Sequence, residues 1–192
     1  MNKNIDPKNE KQRVAVFIDG SNFYYKLKSL STKNITYFDY GGLSQWLAKE
    51  RDIVAKTYFI GVVRAKGDDM KGQMLRKNQR KLFSHLQSGK QGFLIERGYL
   101  MKNDGVYHEK GVDVKMAVDL VVGAYENSYD TAILISSDTD LIPAIEKVRA
   151  LGKSVEYVGF SHQPSLGLIS RSTESRLLSK DDLKPFEQKE PR

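Results

Sequence analysis

The segment Val14–Asp19, VAVFID, is a nearly unbroken apolar run that ends on a carboxylate. Such a run fits a strand covered on both faces, and the spacing of Phe23, Leu27 and Leu30 after it changes to that of a helix. The same alternation continues. GGLSQWLAKE predicts a helix burying Leu43, Trp46 and Leu47, and IVAKTYFIGVV is β-branched and aromatic enough for a second strand. From Gly72 to Ser88 a helix is expected, with Leu75, Leu82, Phe83 and Leu86 on one face and Arg76, Lys77, Arg80 and Lys81 on the other.

GFLIERGYLM reads as a strand, and Asp104-Gly105 is a hairpin-turn signal that gives Val106 and Tyr107 a short return strand. VDVKMAVDLVVGAYEN is helical, with Met116, Ala117, Leu120, Val121 and Ala124 as its apolar stripe. TAILISS is a buried strand. DLIPAIEKVRALG follows as a helix with Leu141, Ile145 and Val148 inward, Pro143 in its first turn and Gly152 at its stop. SVEYVGF reads as the last strand, and SLGLIS and ESRLLSKDDLKPF are each expected to give a short helix.

Alternating strands and helices of these lengths imply an α/β fold: a three-layer, open, mostly parallel sheet with helices on both faces. The chain is 192 residues long, which suits a single core. The expected organisation is a disordered leader over 1–13, a domain over 14–160, and a C-terminal extension over 161–192 that packs on the domain or is partly disordered. No apolar run approaches the roughly 18 residues of a membrane span, and the start has no apolar signal region, so a cytoplasmic location is the default expectation. Spare apolar residues near the C-terminus leave a homodimer among the expectations.

Composition adds two constraints. There are no cysteines, so any metal must sit on oxygen or histidine, and His85, His108 and His162 lack zinc-type spacing. The net charge is +7 and is segregated: residues 64–110 hold 11 Lys or Arg against 5 acids, and residues 111–160 hold 4 against 8. This describes either an ordinary soluble surface or a polyanion-holding surface beside a carboxylate site.

Ligands of open α/β sheets collect outside the carboxyl ends of the strands. Asp19 closes the first strand, Asp138 and Asp140 follow another, and Asp113 opens a helix after a glycine. Singly, Asp113 and Asp138 could be helix N-caps and Asp19 could brace a turn. Four converging carboxylates, however, repel one another, and a hard divalent cation such as Mg²⁺ or Mn²⁺ removes that cost. Asp119, turned about 240° from Asp113 on one helix, is expected to brace a backbone or basic group instead.

Ser21 stands where a haloacid-dehalogenase-type site needs a second aspartate, Phe23 stands where an adhesion-type metal site needs serine, and no G-x-x-x-x-G-K loop is present. Metal-assisted phosphodiester hydrolysis survives. FIDGSN, KGVDVKMAVDL and SSDTDLIPAIEKVRALGKSVEYVG, in this order and spacing, resemble the NYN domain, a branch of the PIN-like metal-dependent ribonucleases, especially its bacterial LabA-like members. The resemblance covers about Val14–Phe160.

That resemblance implies a PIN-like fold in which Asp19, Asp113, Asp138 and Asp140 form an Mg²⁺- or Mn²⁺-binding catalytic site. Asn22 would support Asp19 or orient substrate, and Ser136 and Ser137 would shape the pocket. The implied activity is cleavage of RNA, preferably single-stranded, leaving a 5′-phosphate and a 3′-hydroxyl. Lys71, Arg76, Lys77, Arg80 and Lys81 are expected to contact phosphates, and Tyr99 and Tyr107 to stack bases. The alternatives are an RNA-binding or regulatory module without turnover and, ranked lower, a DNA nuclease or phosphoesterase.

Overall fold

A computed structural model describes residues 11–63, 69–103 and 106–188, the stretches 99–103 and 106–110 by backbone alone. Its strands are β1 (Arg13–Asp19), β2 (Asp52–Val62), β3 (Leu94–Asn103), β4 (Val106–Lys110), β5 (Thr131–Ile135), β6 (Ser154–Phe160) and β7 (Glu174–Leu178). The helices are α1 (Gly20–Ser29), α2 (Tyr40–Ala48), α3 (Met70–Leu86), α4 (Val112–Tyr125), α5 (Ile142–Ala150), α6 (Leu166–Arg171) and α7 (Lys180–Leu183). One sheet runs β4-β3-β2-β1-β5-β6-β7. All neighbours are parallel except the edge pair β3 and β4.

The alternation within β1 builds both layers of the core. Val14, Val16 and Ile18 face Phe23 and Leu27 of α1, Leu43 and Leu47 of α2, and Leu82 and Leu86 of α3. Ala15 and Phe17 face the other way, toward Met116 and Leu120 of α4, Ile145 and Val148 of α5, and Leu168 of α6. A central strand buried on both sides must be apolar at every position, which is why VAVFI carries no polar residue. The three-layer α/β arrangement therefore matches the expectation. Among the described residues, no helix is long and apolar enough to cross a membrane.

Three details depart from the pattern. ESRLL forms the edge strand β7, not a helix, because its backbone pairs with β6 and only Leu178 is fully buried. Trp46 is not a core residue: it is 42% exposed, with Phe186 at 5.9 Å between ring centroids and the Arg176 guanidinium 5.2 Å over its ring. Leu75 is exposed rather than buried. The β3–β4 hairpin does form, with Asn103 opposite Val106. Its turn residues Asp104 and Gly105, and the side chains of Tyr99 and Tyr107, lie outside the described residues.

The amino edge of the sheet is clamped by charge. Asp130, just before β5, accepts from the Arg13 backbone N–H at 2.9 Å and from Arg13 Nη2 at 2.8 Å, and Lys153 Nζ lies at 3.3 Å. The Arg13 hydrogen bonds hold the Asp130 carboxyl well below the usual carboxylate range. A depressed folded-state value gives stability that is complete above the ordinary carboxylate pKa of about 4 and is lost as pH falls toward the folded value. Asp130→Asn should thus lower urea-unfolding stability at pH 7 by about 1 kcal/mol, discounted for partial exposure, with the difference from wild type shrinking between about pH 5 and 3. An unchanged difference across that range would rule out the clamp as its origin.

Candidate metal centre

The carboxyl edge of the same strands is built differently. Ile18 of β1 lies beside Ile135 of β5, so the residues leaving the two strands, Asp19 and Ser136, emerge as neighbours. Ser136 Oγ donates to Asp19 Oδ2 at 3.0 Å and accepts from the Asp138 N–H at 3.1 Å. Asp19 Oδ1 accepts from the Asn22 N–H at 3.0 Å, capping α1. Asp138 caps the 3₁₀ turn Thr139–Leu141, its Oδ1 accepting from the Asp140 N–H at 3.0 Å. Local capping and convergence are not rival explanations here, since each cap leaves the carboxylate further lone pairs.

Asp113 arrives on α4, which lies in the same layer as α5 and on the side of the sheet opposite α1. Gly111, with φ +77°, occupies the left-handed region and turns the chain out of β4 into α4, placing Asp113 in the first helical turn without a capping role. Carboxylate oxygens of Asp113, Asp138 and Asp140 all lie within 4.8 Å of one another. Asp19 lies outside that tight trio but shares with Asn22, Tyr25, Asp113 and Asp138 the lining of an open pocket of about 520 Å³.

The charge balance sets these carboxylates apart. Asp130, Asp119 and Glu156 each have a cation at hand, Asp119 through Lys115 Nζ at 2.5 Å. Asp119 thus braces a basic side chain and does not join the trio. Among the described residues, Asp113, Asp138 and Asp140 have no Lys or Arg partner. Ser137, which precedes Asp138 in the chain, has a buried Oγ with no hydrogen-bond partner and is not among the residues lining the open pocket. An all-oxygen donor set without a basic partner among the described residues fits a hard divalent cation.

The predicted basic residues are all exposed on α3. Taking about 100° per residue, Lys71, Asn78, Gln79 and Leu82 fall within about 60° of Leu75, on the face turned toward α1, whereas Arg76, Lys77, Arg80 and Lys81 lie about 100° or more away. Of the histidines, His85 contacts the Phe38 carbonyl at 2.9 Å and His162 contacts Ser29 Oγ at 3.0 Å, while the side chain of His108 lies outside the described residues.

Sequence reasoning passed over Tyr24 and Tyr25, which are 41% and 68% exposed beside the pocket. The signal was present. With Phe23 and Leu27 fixed inward, the two tyrosines fall about 100° and 200° around the helix and cannot both be core.

These features define an α/β domain that gathers carboxylates at the carboxyl edge of a mostly parallel sheet. The chain belongs to the NYN domain family, whose sequence profile matches residues 13–179. Its fold is similar to that of a solved Vibrio parahaemolyticus protein of unknown function, with a TM-score of 0.63 at 21% identity over 95% of this chain and 99% of that one. It is more distantly similar to a T5 5′-exonuclease with divalent zinc ions bound, with a TM-score of 0.46 at 17% identity over 82% of this chain and 60% of that one. No curated protein matches the sequence.

Proposed function

We propose that the protein is a metal-dependent endoribonuclease that hydrolyses phosphodiester bonds of single-stranded RNA. The observation that carries this reading is the trio Asp113, Asp138 and Asp140, drawn together within 4.8 Å without a basic partner among the described residues. Membership of the NYN family supports it. Asp113, Asp138 and Asp140 would hold Mg²⁺ or Mn²⁺, with Asp19 completing the acidic wall of the pocket. Such a cation supplies Lewis-acid polarisation of a phosphate oxygen and activation of a water molecule.

The remaining contributions come from the chain itself. Ser136 fixes Asp19 and Asp138 relative to each other, so the two sides of the pocket keep their spacing before substrate arrives. Asn22 positions Asp19 through its backbone N–H and lines the pocket where a ribose or phosphate would lie. Lys71, on the α1-facing side of α3, would meet a phosphate outside the pocket, and Arg76, about 100° around the helix, would meet another along a longer strand.

The test is incubation of end-labelled single-stranded RNA and matched DNA with Mg²⁺, Mn²⁺ or chelator, alongside the Asp19→Asn protein. Metal-dependent fragments carrying 5′-phosphates from RNA alone, lost in the variant, are the expected result. RNA that stays intact with both metals would refute hydrolysis, and equal cutting of DNA would refute selectivity for the 2′-hydroxyl.

A further inference from the structure

Beside the acidic pocket runs a second hollow that the carboxylates do not account for. It lies between α1 and α3 over the end of β2, has a volume of about 410 Å³, and shares Ser21 and Tyr25 with the acidic pocket. Tyr24, Ile60 and Leu75 line it, and its far end narrows to a hollow of about 200 Å³ that reaches Thr36 and Asn78. The volume is within the roughly 300–1,000 Å³ typical of pockets that enclose small ligands.

The groove is held open. Gln79 Oε1 accepts from the Val63 N–H at 3.0 Å and its Nε2 donates to the Gly61 carbonyl at 2.7 Å, tying α3 to the end of β2. Tyr58 is fully buried beneath it, with its hydroxyl donating to the Gly20 carbonyl at 3.3 Å. On this rigid floor Tyr24 and Tyr25 stand edge to face at 5.6 Å between centroids, both exposed, with Leu75 exposed opposite. Two solvent-facing aromatic rings and an apolar wall, joined to a carboxylate pocket and with Lys71 on the same side of α3 as Leu75, match a ligand with flat apolar faces on an anionic backbone.

We propose that this groove is a nucleobase subsite, taking one or two unpaired bases of the strand whose phosphate occupies the acidic pocket. The proposal rests on the nuclease reading above. Aromatic faces accept any base by stacking, and Thr36 and Asn78 at the narrow end supply hydrogen-bonding groups for a base edge. Bases stacked within a duplex cannot enter, so the groove selects single strands.

Binding is measured by fluorescence anisotropy in Ca²⁺ or chelator, with a single-stranded RNA oligomer and the same oligomer carrying consecutive abasic sites. The proteins are wild type, Tyr24→Ala and Tyr24→Phe. Wild type should prefer the base-bearing strand roughly tenfold. Tyr24→Ala should lose that preference, Tyr24→Phe should retain it, and all three should bind the abasic strand alike. Thermal melts confirm that the variants are folded, and quenching of 2-aminopurine in the strand by wild-type protein gives a readout independent of any variant.

Equal affinity of wild type for the two strands, absence of binding to either, or equal losses on both strands in Tyr24→Ala overturns the subsite. A base-dependent complex that neither Mg²⁺ nor Mn²⁺ converts to products refutes catalysis and leaves the subsite standing. Normal cleavage without base dependence does the reverse.

Discussion

Asp138→Asn is expected to abolish most metal-dependent hydrolysis, by a factor on the order of 10³, while leaving the fold intact. The two halves of this result come from different atoms of one side chain. Asp138 Oδ1 caps the turn into α5 by accepting from the Asp140 N–H, and an asparagine oxygen does the same. The backbone N–H of residue 138 still donates to Ser136, so the spacing to Asp19 survives. What asparagine removes is the charge that a cation requires. Initial rates over a metal titration, with thermal melts of both proteins, check the expectation. A variant that retains wild-type rate would show that Asp138 only shapes the turn. Asp138→Ala should in addition lose the cap, at about 1 kcal/mol.

Gly20→Ala is expected to be the most damaging small substitution near the site. Gly20 is not in the left-handed region, so the reason for a glycine here is space. A Cβ at this position would stand 2.2 Å from Tyr58 Cε1 and 2.8 Å from the Phe59 carbonyl oxygen. One neighbour is backbone and the other a fully buried ring in the aromatic cluster with Tyr40 and Phe93, so neither can yield cheaply. Relief requires α1 to lift from β2, at a cost of about 2–3 kcal/mol, which for a chain of this size is a fall in melting temperature of roughly 5–10 °C. Because Asp19 caps α1, the same displacement should lower activity beyond what the loss of folded protein explains. Differential scanning calorimetry and rates normalised to folded protein separate the two effects, and a melting temperature within a degree of wild type would contradict the close approach.

The elements that carried clear periods were legible. β1 and β5 are apolar on both faces because they lie between helices, β6 is so from Tyr157 onward, and α4 and α5 show their stripes because each has one buried side. β7 was not legible. An edge strand with one fully buried residue needs little hydrophobicity, and the charges of Glu174 and Arg176 that hide it from pattern reading suit an exposed edge. Trp46 misled for a related reason: its cover, Arg176 and Phe186, comes from sequence far away.

For the site, Asp19, Asp138 and Asp140 could be placed by rule, since strand ends in a parallel sheet share an edge. The convergence of Asp113 on that edge depended on α4 packing beside α5, which brings its first turn to Asp138 and Asp140. Distances within the trio and the bracing by Ser136 are properties of packing that no local pattern encodes.

The pairing of β1 with β5 also governs the order in which the molecule is made. β2 lies next to β1 on one side and is synthesised soon after it, but the other side of β1 waits for β5. The hydrogen bond from Ser136 to Asp19 joins positions 117 apart in sequence. Contacts of such separation are slow to close and mark the late stage of folding. The two walls of the acidic pocket therefore meet in the same event that completes the centre of the sheet, and a growing chain on the ribosome carries no assembled pocket until most of the domain has emerged.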